Sequence, residues 1–119
     1  MTSTEPKSWL PLTQSEFHIL LSLATTPRHG YGMMKDVEDR TEGQVRLGPG
    51  TLYGSIRRLV ERGWIEEAGD RPDPELDDQR RRYYRLTGLG RKVAVAEAER
   101  LARLVAAARS QRLLAFEAG

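Results

Sequence analysis

The sequence predicts a mainly α fold with one small β-hairpin, ending in a single long helix. Three observations predict it. A fully marked helix start sits at Thr13, two extended pieces flank a polar loop after Gly63, and an Ala-, Leu-, Glu- and Arg-rich run extends from Thr87 or Gly88 to about Leu114. At 119 residues the chain has room for one domain, because single cores are favoured up to roughly 100–150 residues.

The first helix starts at a capping box, Thr13-x-x-Glu16, with Leu12 and Phe17 at the two positions of a hydrophobic staple. Phe17, Leu20, Leu21 and Ala24 form its expected inner stripe until Thr25-Thr26-Pro27 breaks it. A second helix is expected from about Tyr31 to Thr41, with Tyr31, Met34 and Val37 inward and Gly43 as its C-terminal cap. Gln44-Val45-Arg46-Leu47 alternates as a short strand would. The third helix opens at Gly48-Pro49, where proline at the first helical position sacrifices no hydrogen bond, and ends at Gly63. Leu52, Ile56, Leu59 and Val60 share the sector that must be buried; Gly50, Thr51, Gly54, Arg57, Arg58 and Glu61 lie opposite, with Tyr53 on the flank. Trp64 to Ala68 and Arg80 to Leu86 read as a hairpin with a long polar tip. The last helix, of roughly 25 residues, is near 40 Å long. The expected organisation is an N-terminal arm over residues 1–11, a three-helix unit with a hairpin over 12–87, and a C-terminal helix and tail over 88–119.

Composition narrows the function. The chain has no cysteine, which excludes disulfides, thiolate metal sites and thiol nucleophiles. His18 and His29 are its only histidines and lack the HExxH spacing. The glycine pairs Gly30-Tyr-Gly32, Gly48-Pro-Gly50 and Gly88-Leu-Gly90 do not continue as a dinucleotide fingerprint or a phosphate loop, so they read as turns and caps. The carboxylates from Asp70 to Asp78 lack the order of a calcium loop. No enzyme, no metal and no cofactor are expected. No apolar run approaches the roughly 18 residues of a membrane span. The N-terminus lacks the pattern of a signal peptide, so no membrane partner and a cytoplasmic address are expected.

A net charge of +2 says little about partners; its distribution says more. Arg46, Arg57, Arg58 and Arg62 stand against only Glu61 in one stretch. Three short helices followed by a two-stranded wing describe a winged helix-turn-helix, whose third helix enters the DNA major groove. Gly50 and Gly54 would let that helix approach closely. Arg57 and Arg58 can reach guanine edges or phosphates, and Thr51 and Tyr53 can donate to phosphate oxygens. In the wing, Arg80, Arg81 and Arg82 are candidates for phosphate contact. Alternation turns Tyr84 and Leu86 inward and Tyr83 outward. The acidic residues Glu66, Glu67, Asp70, Asp73, Glu75, Asp77 and Asp78 oppose phosphate, and their pairing with the arginines would make much of the wing structural.

Phe17-His18-Ile19-Leu20, His29-Gly30-Tyr31-Gly32, Leu47-Gly48-Pro49-Gly50-Thr51-Leu52-Tyr53 and Arg82-Tyr83-Tyr84-Arg85-Leu86-Thr87 resemble the PadR family of bacterial transcriptional regulators. The match spans roughly Leu12 to Val105, and the brevity after Gly90 resembles the compact subgroup with a single dimerising helix. The resemblance implies a dimeric repressor whose third helix and wing bind operator DNA, with Thr51, Tyr53, Arg57 and Arg58 in recognition-helix roles and Arg82 in a wing role. Gly48 stands where the family often has a serine cap, and the acidic wing tip departs from a DNA-contacting wing.

Two further expectations concern assembly and control. Ala94, Ala98, Leu101, Val105 and Ala108, flanked by Leu104, line one stripe of the long helix. A partner helix covering it would make a two-fold dimer on a palindromic operator. The small residues of that stripe leave room for an effector pocket between subunits. Trp9 and Phe116, without another evident role, would stack there on an aromatic or drug-like compound. The competing reading is a winged-helix module that engages a protein partner and not DNA.

Overall fold

A computed structural model of the chain describes residues 5–69 and 82–115. A 3-10 turn at Pro6–Trp9 leads, through a cis Leu10–Pro11 bond, into α1 (Gln14–Ser22). There follow β1 (Arg28–His29), α2 (Gly30–Arg40), α3 (Pro49–Glu61), β2 (Ile65–Glu67), β3 (Tyr83–Leu86) and α4 (Gly88–Ser110). The fold is mainly helical with one small antiparallel sheet, in the order β1-β3-β2. Three helices packed around this sheet make a winged helix-turn-helix, and α4 runs on from the wing.

The capping box at α1 is complete: Thr13 Oγ1 accepts from the Glu16 N–H at 3.1 Å, and Glu16 Oε1 accepts from the Thr13 N–H at 3.1 Å. The inner face of α1 differs from the expected stripe. Ile19, Leu20 and Leu23 are buried, while Phe17, Leu21 and Ala24 are only half-buried. The helix touches α2, α3 and α4 at once, so its core face is centred between the neighbours and not on the spacing expected for one. In α2 the inward residues are Gly30, Met33 and Val37, and Tyr31 is 63% exposed, contrary to expectation. The cause is Gly30: a Cβ there would lie 2.7 Å from the Tyr53 hydroxyl, so α2 turns its glycine toward α3 and its next residue outward. At the other end the helix closes through Glu42 and Gly43, both with positive φ, and the Gly43 N–H donates to Glu38 O at 2.8 Å.

Gln44 to Leu47 is not a strand; the Thr41 hydroxyl accepts from the Val45 N–H at 3.0 Å and holds the segment as an irregular connection. The third strand comes instead from β1, which pairs Arg28 with Tyr84 and His29 with Tyr83. On α3, Leu52, Ile56 and Leu59 are buried as expected, but Val60 is 42% exposed and Ser55 is buried in its stead. The core joins these to Met33, Val37, Trp64, Ile65 and Val93, each apolar side chain worth roughly 1.5–3 kcal/mol of burial.

α4 is seated by Thr87, whose hydroxyl donates to Gly63 O at 2.5 Å and accepts from the Gly90 N–H at 3.0 Å. Its inner face, Gly90, Val93, Ala96 and Glu97, is buried. The buried Glu97 accepts from the Leu12 N–H at 3.1 Å and from Arg100 at 2.5 and 3.1 Å, tying the helix to the start of α1. The helix ends at Ser110, short of the expected Leu114, where Arg112 takes a left-handed conformation (φ 64°).

Candidate nucleic-acid interface

The sequence of α3 places its two faces in opposite environments. Leu52, Ser55, Ile56 and Leu59 anchor it to the core, and Gly50, Thr51, Arg57 and Arg58 are exposed on the outside. Gly48 caps the helix with no side-chain hydrogen bond, and Pro49 follows in the first turn. A Cβ at Gly50 would meet nothing within 4 Å, and one at Gly54 only the far end of Arg58 at 3.8 Å. Packing within the chain therefore does not demand glycine at either position; their smallness leaves the outer face of the helix flat. Tyr53 is half-buried, with its ring against Gly30 and packed on the core, so it joins α3 to α2 as well as flanking the outer face.

The two expected arginines are not equivalent. Arg57 is exposed, and no ion pair or hydrogen bond engages it among the described residues. Arg58 donates to Ser55 Oγ at 3.1 Å and lies 3.9 Å from Glu16 Oε2. Glu16 is buried, and the same oxygen accepts from Arg62 at 2.8 Å. The Arg62 guanidinium sits against two indoles, 5.1 Å from the Trp9 ring centre and 4.9 Å from that of Trp64, and the indoles meet edge to face at 5.4 Å. Trp9 thus has a packing role within the winged domain, contrary to the expectation that it had none. Sequence reasoning identified Glu16 as a cap and missed its second task, because nothing local places Arg62 beside it.

In the wing, Arg82 is exposed and paired with Glu67 at 3.6 Å, and Arg85 with Glu66 at 2.9 Å. Two of the expected acid–arginine pairings are therefore present. Arg80 and Arg81 lie outside the described residues, as does Phe116. Tyr84 and Leu86 pack on the core, and burial followed by the nearby Glu67 raises the Tyr84 phenol above its usual range. Tyr83 stacks edge-on against His29 at 5.1 Å.

Along α4 the expected stripe is mixed. Ala94 is half-buried against its own core. Ala98, Leu104 and Val105 are exposed, and Leu101 and Ala108 are half-buried. Among the described residues no group of His, Asp and Glu is placed to hold a metal ion, and no helix is long and apolar enough to cross a membrane.

The sequence profile of the transcriptional regulator PadR-like family matches residues 19–96, which include α2, α3, the wing and the start of α4. The chain belongs to the PadR-like family of transcriptional regulators. A 37.1 kDa protein in transposon TN4556 of Streptomyces fradiae is 38% identical over 86 residues, 72% of this chain and 22% of that protein. An uncharacterized protein of Lysinibacillus sphaericus is 32% identical over 74 residues, 61% of this chain and 64% of that one. This PadR-like chain thus spans less than two thirds of either relative. Its fold is similar to a transcriptional regulator from Clostridium thermocellum, with TM-score 0.66 at 22% identity, covering 92% of this chain and 96% of that one. A PadR-like transcription factor from Bacteroides fragilis gives TM-score 0.63 at 21% identity, covering 80% and 86%.

Proposed function

We propose that this PadR-like regulator binds DNA in a sequence-specific manner through α3, and that it acts in the cytoplasm as a homodimeric repressor on a palindromic operator. The observation that carries the reading is the outer face of α3: flat at Gly50 and Gly54, with Thr51 exposed beside them and Arg57 free of any described partner. A helix pinned by its inner face and bare on its outer one is suited to enter a major groove. Pairing along the stripe at Leu101, Leu104, Val105 and Ala108 would set two such helices about one DNA turn, roughly 34 Å, apart.

The test is selection of DNA fragments from the region upstream of the chain's own gene, followed by affinity measurements against salt. Arg57→Ala is expected to weaken binding and flatten the log–log salt slope by about 0.9 if Arg57 meets a phosphate. Arg58→Ala should change it less, since Glu16 already shares that charge. Equal affinity of parent and Arg57→Ala on the selected site at every salt concentration would refute the assignment.

Release by a small aromatic compound belongs to the same reading. Trp9 stacks beside Arg62, next to the C-terminal end of α3, so a compound that displaced it would disturb the seat of the recognition helix. Such a compound must favour one arrangement of the two recognition helices over another. The second reading, a protein-binding winged helix, is favoured by one observation: Arg82 and Arg85 are each matched by a glutamate, which leaves the described wing without surplus positive charge. Failure to retain any DNA in the selection decides for it.

A further inference from the structure

At the junction of β1, α2 and β3 three side chains project together: His29, Tyr31 and Tyr83. The register pairs His29 directly with Tyr83, their rings lie 5.1 Å apart, and the Tyr31 ring lies 6.3 Å from that of His29. Tyr31 is 63% exposed at the second residue of α2. Core packing does not ask for an aromatic there.

The chemistry of the cluster is one-sided. The Gly32 N–H donates to His29 Nδ1 at 2.9 Å, so the neutral imidazole carries its proton on Nε2 and presents it as a donor. Among the described residues neither Nε2–H nor the hydroxyl of Tyr31 or Tyr83 meets an acceptor. Three neutral donors, one from each of three elements, are therefore unused at one place on the surface. Ionic groups beside the cluster in the chain are already engaged: Arg28 donates to Ser22 O at 2.7 Å and pairs with Asp36 at 3.4 Å, and Asp36 also holds Arg40. Among the described residues both carboxylates paired with the neighbouring arginines, Asp36 with Arg28 and Arg40 and Glu67 with Arg82, are committed to those ion pairs.

The cluster is continuous with the α3 face. Gly30, which precedes Tyr31, lies beneath the Tyr53 hydroxyl, and Tyr53 follows the exposed Gly50 and Thr51 by less than one helical turn. We infer that His29, Tyr31 and Tyr83 form an uncharged clamp for a phosphodiester of the DNA backbone, on the strand flanking the groove that α3 enters. This rests on the DNA-binding reading above and adds to it a second point of attachment. Phosphate oxygens accept and never donate, so each of the three groups can engage one as a donor: the imidazole through Nε2–H and the two phenols through their hydroxyls. The three donors carry no charge, so the clamp fixes register without releasing counterions, unlike Arg57.

The experiment uses the full chain and its selected operator, with Tyr31→Phe and Tyr83→Phe measured across a salt series. Both substitutions keep the ring and remove only the hydroxyl. Each is expected to weaken binding by roughly threefold to tenfold, with the salt slope and the melting temperature of the parent retained. An operator carrying a neutral methylphosphonate at each backbone position in turn locates the contact: at one position per half-site the Tyr31→Phe loss should shrink, because one non-bridging oxygen and the negative charge of its partner have been removed. Unchanged affinity in both variants overturns the clamp while leaving the α3 reading intact. So does a loss that flattens the salt slope, lowers the melting temperature or stays the same at every methylphosphonate position. A parent chain that retains no DNA overturns both.

Discussion

Replacing Gly90 by alanine tests the joint between wing and long helix with a single methyl group. A Cβ at this position would stand 1.9 Å from the Trp64 carbonyl oxygen and 2.7 Å from its carbon. Both are backbone atoms, so no rotamer change relieves the clash, and α4 and the residue before β2 must part by about 1.5 Å to restore ordinary contact. Two hydrogen bonds cross that joint, from the Thr87 N–H to Trp64 O at 3.0 Å and from the Thr87 hydroxyl to Gly63 O at 2.5 Å. Losing or stretching them costs about 1 kcal/mol each, overpacking adds roughly 1–3 kcal/mol, and the helix propensity of alanine returns up to about 1 kcal/mol. The expected net loss is about 3 kcal/mol, or about 12 °C in melting temperature for a chain of this size. Gly88→Ala is the internal control, since a Cβ there meets nothing within 4 Å, and it should leave stability unchanged or raise it by up to about 1 kcal/mol. The assay is thermal and urea unfolding followed by circular dichroism, with all variants at one protein concentration. Melting of Gly90→Ala within about 2 °C of the parent, or equal shifts for the two variants, would refute the reasoning.

Removing the Thr13 hydroxyl in Thr13→Ala should cost about 1 kcal/mol in urea unfolding, because it leaves the Glu16 N–H without its cap. Stability should also fall on acidification in two windows. Arg100, with help from the Leu12 N–H, holds the Glu97 carboxyl below its usual range. Its contribution is therefore present above about pH 4.3, the unfolded value, and is lost as pH falls through the lower folded value. Burial and then Arg40 lower the His18 imidazole, so its neutral form is favoured in the fold and stability declines as pH drops below about 6.5 toward its folded value. Glu97→Gln should flatten the lower window and leave the upper one, as read by urea midpoints against pH. For assembly, Leu104→Asp places a charge on an exposed apolar position of α4 and should give a monomer by sedimentation with an unchanged circular dichroism spectrum; a dimer of parental affinity would exclude this stripe from the interface.

The elements that announced themselves in the sequence are those whose causes are local. The capping box at Thr13 and Glu16, proline opening α3 and the alternation of Tyr84 and Leu86 each depend on residues within a few positions of one another. What remained hidden depends on distant neighbours. Tyr31 reads as core by spacing, and only the approach of Tyr53 to Gly30, residues 23 positions apart, turns it outward. Two-residue β1 is invisible for the same reason: Arg28 and His29 have no strand pattern of their own and are extended because β3 offers them a free edge. Of the candidate interface, the outer face of α3 was legible from period alone. The inequality of Arg57 and Arg58 was not, since it depends on a carboxylate from α1.

That inequality follows from how α3 is fixed. Glu16 completes a helix cap with one oxygen and with the other accepts from Arg62, while Arg58 approaches the same oxygen. A buried carboxylate needs such partners, because leaving it unpaired would be strongly destabilising. Arg62 in turn sits against both Trp9 and Trp64, so the N-terminal arm, α1, the end of α3 and the residue before β2 meet at one guanidinium. Successive residues on a helix are turned by about 100°. Arg58 therefore falls on the side that can serve this junction, and Arg57, one step round, cannot reach it. The division leaves the outer face with one cation committed to the fold and one that is not. The free one stands on the same surface as Gly50 and Thr51, where a contact with a polyanion costs the fold nothing.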